Sequence, residues 1–251
     1  MKKILFGVAV LGATLLWAHG ADYNLAEAAR KRGNYKKAVK YALRQLKSDI
    51  ETYGVDGKEN IISYSKIGYY YEKMGKYDEA LQYNLKALEL QKKLLDEDDR
   101  TEATTYNNIG GIYSKQGKYK EAIDNYLISL KIQKKLFGEN YRASAITYSN
   151  IAGVYRKQGK YSKALEYYKK ALVIRKETLG EEHYATALTY SNIGLVYFKL
   201  GEYNKALKEL NKTLEIREKI FGEGHSIVRK TQSNIDYVKK EMMKKSKKDH
   251  Q

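Results

Sequence analysis

Apolar positions recur along this chain with the spacing of a helix and then again with a longer period. Between Ala187 and Gly222, Tyr190, Ile193, Gly194 and Tyr197 fall at i, i+3, i+4 and i+7, which is one face of a helix. Gly201 closes that helix, because glycine takes the left-handed conformation at a helix C-terminus at little cost. Glu202-Tyr203 starts a second helix, whose Tyr203, Ala206, Leu207, Leu210, Leu214 and Ile216 again keep helical spacing. Phe221 and Gly222 end it, and a loop through His225 leads to the next copy. The unit is a helix hairpin with a tight glycine-centred turn.

That unit returns every 42 residues without insertion or deletion. Tyr64, Tyr106, Tyr148 and Tyr190 keep the spacing, as do Ile67, Ile109, Ile151, Ile193 and Ile235. Gly75, Gly117, Gly159 and Gly201 keep it, and so do Ala80, Ala122, Ala164 and Ala206. A fixed period of this size marks a solenoid, which narrows function to binding on a surface. Gly68, Gly110, Ala152 and Gly194 sit inside the apolar face of the first helix. Glycine there costs about 1 kcal/mol of helix propensity against alanine, so close approach of the paired helix is expected to offset it.

The register reaches both ends. Gly33, Tyr35 and Ala38 lie 42 before Gly75, Tyr77 and Ala80, and Leu25 matches Ile67. Gln232-Ser233-Asn234-Ile235 opens a first-type helix that runs into Lys239-Lys240-Glu241-Met242-Met243-Lys244-Lys245. A polar outer face suits the end of a solenoid, so this segment reads as a cap. The expectation is one solenoid over 21–245, with five helix pairs and a capping helix, then a basic polar tail over 246–251.

Tyr190-x-x-Ile193-Gly194-x-x-Tyr197 followed by Gly201-x-Tyr203-x-x-Ala206 resembles the tetratricopeptide repeat. The 42-residue period, with Leu179-Gly180-Glu181-Glu182-His183 before the next helix, resembles the kinesin-light-chain type of that family. Phe221-Gly222-Glu223-Gly224-His225 and Leu136-Phe137-Gly138-Glu139-Asn140 are further copies. The family usually has Pro after the His, where this chain has Tyr184 and Ser226. The resemblance covers residues 22–245. It implies an all-α fold, a right-handed α-solenoid of stacked helix hairpins, with the first helix of each repeat lining a concave groove.

The helix face beside the packed one carries Ser191, Leu195, Phe198 and Lys199. Its equivalents are Ser149, Gly153, Arg156 and Lys157, then Asn107, Gly111, Ser114 and Lys115, then Ser65, Tyr69, Glu72 and Lys73. The candidate peptide-binding groove is therefore Ser65, Tyr69, Asn107, Lys115, Ser149, Arg156, Lys157, Ser191, Leu195, Phe198 and Lys199. Its basic edge suits an extended or helical peptide bearing acidic groups, with hydrogen bonds to Ser and Asn. Lysines at helix C-termini are also favoured by the helix dipole without any partner. Asn108, Asn150, Asn192 and Asn234 form a second ladder, which either binds a ligand backbone or fixes repeat geometry. Some tetratricopeptide domains grip a C-terminal carboxylate with Lys and Asn. The matching positions here are Ser65, Asn107, Ser149 and Ser191, then Tyr69, Gly111, Gly153 and Leu195, so that clamp is absent.

Composition then trims the options. Lys2 and Lys3 precede an apolar run from Ile4 to Trp17, and Ala18-His19-Gly20 follows. This is the layout of a secretory signal peptide over 1–20, cleaved between Gly20 and Ala21, and it implies export to the periplasm or beyond. The other readings are a buried first helix or an uncleaved anchor, although the run falls short of the roughly 20 residues that span a bilayer. There is no Cys and no Pro, so packing of unbroken helices must supply stability. Net charge is +17, or +15 without Lys2 and Lys3. That excess suits acidic partners or an anionic surface, and export argues against nucleic acid. His183 and His225 are one repeat feature in two copies, about one helix-packing distance of 10 Å apart and too far for one metal. No catalytic constellation, cofactor site or metal site is expected. Two readings remain. One is a non-enzymatic exported scaffold that binds a protein or peptide in the groove. The alternative is electrostatic attachment to an anionic membrane or cell-wall surface through the Lys-rich C-terminus.

Overall fold

The structure, a computed structural model, describes residues 21–95 and 99–249, with side chains through 247. Residues 1–20, where the sequence layout leads us to expect a signal peptide, lie outside the described residues. Helices follow one another in pairs. Residues 21–31 form α1, paired with α2 (Tyr35–Tyr53), and α3 (Glu59–Lys73) pairs with α4 (Tyr77–Leu94). Next come α5 (Arg100–Lys115) and α6 (Tyr119–Phe137), α7 (Arg142–Lys157) and α8 (Tyr161–Leu179), and α9 (Tyr184–Lys199) and α10 (Tyr203–Phe221). A last helix, α11, runs from Ser226 to Asp249. No strand occurs among the described residues. No helix among them is long and apolar enough to cross a membrane. The chain divides into two compact units, unit 1 up to Ile132 and unit 2 from Gln133.

The 42-residue ladder is the core of each unit. Ile67 and Ile109 in unit 1, and Ile151, Ile193 and Ile235 in unit 2, are at most 2% exposed. Ala80, Ala122, Ala164 and Ala206 on the paired helices are wholly buried. Gly110 shows why the small residues are needed. A Cβ there would lie 2.8 Å from the Tyr126 ring and 3.0 Å from the Ala122 carbonyl oxygen. The loss of helix propensity is thus exchanged for close contact of α5 with α6.

The turns are set by backbone chemistry. Gly117 takes φ 77° and the Lys118 N–H donates back to the Tyr113 carbonyl at 2.9 Å. Lys160 does the same to Tyr155 in unit 2, so both units use one helix stop. Helix starts differ more. Asn34 caps α2 by accepting from Lys37 N, and Asp99 caps α5 by accepting from Thr101 N. In unit 2 the two loop histidines do this work: His183 Nδ1 accepts from Ala185 N at 3.0 Å and His225 Nδ1 from Ile227 N at 3.2 Å. They are architecture, one per repeat.

A buried polar position near the end of each second helix meets the next first helix. In unit 1, Ser63 donates to Asp49, and Gln91 lies at the same register. In unit 2, Gln133 pairs with Thr147 at 3.4 Å, Arg175 donates to Thr189 and to the Ala185 carbonyl, and Arg217 donates to Thr231 at 2.7 Å. Each bonded pair is 14 residues apart, and each hands one repeat on to the next. Among the described residues no carboxylate pairs with Arg175 or Arg217. Burial weakens the hold of both guanidinium groups on their protons.

Candidate functional site on the first-helix faces

In unit 1, three successive first helices, α1, α3 and α5, frame an open groove of ≈520 Å³. Ile62, Ser65 and Tyr69 from α3 line it, with Thr101, Thr104, Thr105 and Asn108 from α5 and Glu27 and Arg30 from α1. Gln91, at the end of α4, also lines it. Ile62 stands 59% exposed at its mouth, while Gln91 is 2% exposed. Charges on the α1 side are already satisfied. Glu27 accepts from Arg30 Nε at 2.8 Å and from the Tyr70 hydroxyl at 2.9 Å, and Lys66 Nζ approaches it at 3.6 Å. Burial pushes the Glu27 carboxyl up, but these partners outweigh it and hold it below the usual carboxylate range. Burial and the Glu27 bond push the Tyr70 hydroxyl up. The Lys66 ammonium sits 3.5 Å over the Tyr23 ring.

Of the residues expected in unit 1, the structure brings Ser65 and Tyr69 into this groove. Asn107 is half-buried outside its lining, and its neighbour Asn108 lines it instead. Lys115 is an ion-pair partner of Glu72 at 2.6 Å. Its charge is thus already matched within the unit, one repeat back along the chain.

Unit 2 presents its first-helix face differently. Arg156 and Lys199 are exposed, and Lys199 lies 5.9 Å from the Phe198 ring centroid. Lys157 is exposed and engaged with a neighbour. Phe198 packs against Tyr203 and Tyr237, with centroids 5.8 Å and 5.5 Å apart. Leu195 is half-buried, and Ser191 is buried at 7%. The Ser149 hydroxyl donates to the Ala145 carbonyl of its own helix at 2.8 Å, leaving only its lone pairs for a ligand.

One ladder on these faces was missed in the sequence. Ile62, Ile146 and Leu188 are 59%, 53% and 37% exposed, and with Thr104 they keep the 42-residue spacing. Their register gave the signal. They precede the packed tyrosine by two residues, which places them on the side of the helix away from the core. Among the described residues, no group of three His, Cys, Asp or Glu side chains could hold a metal ion.

The tetratricopeptide repeat family model matches residues 17–93, 101–177, 144–219 and 185–235. No curated protein matches the chain. Among solved structures it is similar to BtubC (BKLC) from P. vanneervenii, at 20% identity and TM-score 0.66, over 90% of this chain and 83% of that one. It is similar to a putative kinesin light chain of Podosopora anserina with nearly identical TPR-like repeats, at 18% identity and TM-score 0.68, over 80% and 95%. It is also similar to aspartyl phosphate phosphatase F of Bacillus subtilis, at 18% identity and TM-score 0.77, over 95% and 59%. At these identities the likeness shows the all-α repeat fold.

Proposed function

The chain belongs to the tetratricopeptide repeat family, of the kinesin-light-chain-like type, and on that premise we propose that it is an exported adaptor without chemistry of its own, holding a segment of another protein on its first-helix faces. The observation that carries this is the groove of unit 1. Three successive first helices leave Ile62, Tyr69 and Thr104 facing one open space, while the core residues of the same helices are consumed by packing. Apolar side chains with a few convergent polar groups are the makings of a peptide site. Acidic character in the partner is supported by unit 2, where Arg156 and Lys199 are exposed. Export rests on the sequence of residues 1–20.

A photo-crosslinking side chain placed at Ile62, in the full chain in its native cells, tests the adaptor. A discrete protein adduct is expected from position 62, with none from the exposed Leu85 on a second helix. Equal yields from both positions would overturn the groove. N-terminal sequencing of the mature protein tests export, with Ala21 as the expected first residue.

A second reading is favoured by α11. Asp236, Lys239, Lys240, Met243, Lys244 and Lys247 line one outward stripe of it, with Lys244 paired to Glu241, while Ile235 and Val238 pack on α10. Such a stripe suits an anionic surface, at about 1 kcal/mol per lysine near the lipid. Co-sedimentation with phosphatidylglycerol vesicles but not with phosphatidylcholine vesicles is its signature.

A further inference from the structure

The groove of unit 1 borders a junction between repeats that is not bridged. At the register of Gln91 the later repeats carry Gln133, Arg175 and Arg217, and each donates to the threonine fourteen residues on. Gln91 makes no such bond to Thr105, although Gln133 bridges the same gap to Thr147. Its Oε1 is buried and has no hydrogen-bond partner. The Thr105 hydroxyl donates to the Thr101 carbonyl at 3.1 Å, as Thr189 and Thr231 donate to their own helices. In those repeats an arginine N–H then donates to the threonine oxygen. At Thr105 that donor is missing. Two acceptors, Gln91 Oε1 and Thr105 Oγ1, thus border one groove without the donors that the repeat supplies elsewhere. A buried acceptor left without a donor is costly, and a ligand that brings the donor repairs it.

We propose that this groove reads a primary carboxamide, an Asn or Gln side chain set among aliphatic residues of the partner, with Gln91 as the specificity-determining residue. The inference rests on the adaptor reading above. The –NH₂ of a carboxamide offers two donors, one for each orphaned acceptor, and pairs with Gln91 in either orientation of its terminal amide. Ile62 and Tyr69 at the mouth fit the aliphatic neighbours. A cationic ligand would meet Arg30 and Lys66, while the one carboxylate on that side, Glu27, already accepts from both Arg30 and Tyr70. An anionic ligand, which Arg30 and Lys66 would attract, has no hydrogen to give Gln91 Oε1 and would add another acceptor beside it.

Phage-displayed random dodecapeptides, selected on the full chain and counter-selected on Gln91→Arg, test this. Arg stands at this register in two later repeats, at Arg175 and Arg217, so the variant is expected to fold, fill the groove and donate to Thr105. Gln91→Leu, which removes the acceptor without adding a donor, is the second variant, and circular dichroism checks both. The expected result is a peptide class enriched in Asn or Gln between aliphatic residues and lost on both variants. In synthetic copies, replacing that residue by Glu, Lys or Ala is expected to weaken binding about tenfold or more, the equivalent of one lost hydrogen bond to a buried partner. An Ala copy that binds as well would show that backbone amide alone suffices and would overturn the carboxamide. Selection of acidic or basic peptides, or binding that survives both variants, would overturn it too and leave the adaptor reading standing. Failure to select any peptide on the full chain would count against both.

Discussion

Unit 1 and unit 2 carry the same buried junction through the same register and fill it with different chemistry. In unit 1 the position holds Asp49 and Gln91, and in unit 2 it holds Gln133, Arg175 and Arg217. The arginines extend across to the next first helix and satisfy its threonine. Gln133 also bridges to its threonine, whereas Gln91 leaves its Oε1 unpartnered at the edge of the groove. The same residue type can close a junction or leave it open, so room for a ligand lies beside the junction that is not bridged. The acids make a matching contrast. Glu27 in unit 1 is held below the usual range by its hydrogen bonds, against the pull of burial, whereas burial raises Glu209 in unit 2.

The junction gives the largest expected effect. Arg175→Ala should destabilise unit 2 by about 2–4 kcal/mol, through a cavity and a lost bond to Thr189. Arg175→Gln should cost clearly less, because Gln133 with Thr147 shows that glutamine can bridge the same gap. Urea unfolding compares the two, and equal losses would mean that the guanidinium fills nothing. Helix contact comes next. Gly110→Ala in unit 1 should cost about 1–3 kcal/mol by overpacking against Tyr126. The Ala152 position in unit 2 already holds a methyl, and Ala152→Gly should cost about 1 kcal/mol from propensity alone. Hydrogen exchange of α5 and α7 reads each locally.

The helix caps separate the units more gently. His183→Ala should cost about 1 kcal/mol, and His183→Asp should be near neutral because it restores a cap of the kind Asp99 provides. Protection of the Ala185 amide from exchange is the readout. The smallest effect is that of pH. The folded-state affinity of Glu27 for its proton is lowered, so its contribution is present above the unfolded value of about 4.3 and lost as pH falls through the folded one. Glu209 is raised, so its contribution is fully present below the unfolded value and lost as pH rises through the folded one. Acidification from pH 7 should therefore loosen unit 1 at Glu27 and relieve unit 2 at Glu209. Glu209→Gln should raise the Tm slightly at pH 7 and leave it unchanged near pH 4, and a fall at pH 7 would contradict the burial account.

Much of the fold was legible because packing repeats with the chain. Ile67, Ile109, Ile151, Ile193 and Ile235 recur at one spacing and are all buried. Gly75, Gly117, Gly159 and Gly201 recur at one spacing and all take positive φ. The free face was legible only in part. Ser65 and Tyr69 reach the groove, but Lys115 meets Glu72, and Ser149 bonds its own helix. Which side chains pair across neighbouring helices depends on reach and angle, and a period does not carry those. The ladder of Ile62, Ile146 and Leu188 keeps the period but does not stand out in the sequence, since apolar periodicity alone does not say which side of a helix is covered.

The sequence by itself determined the helix hairpin, its 42-residue period, its glycine turns and its buried seam, because each depends on local propensity and on contacts repeated at fixed separation. Only the tertiary structure decided where the room is. It showed Gln91 buried with an unanswered acceptor, Lys115 neutralised, and arginines closing the junctions of unit 2. These outcomes depend on side-chain length and hydrogen-bond geometry between neighbouring helices, which the order of residues along one helix does not specify.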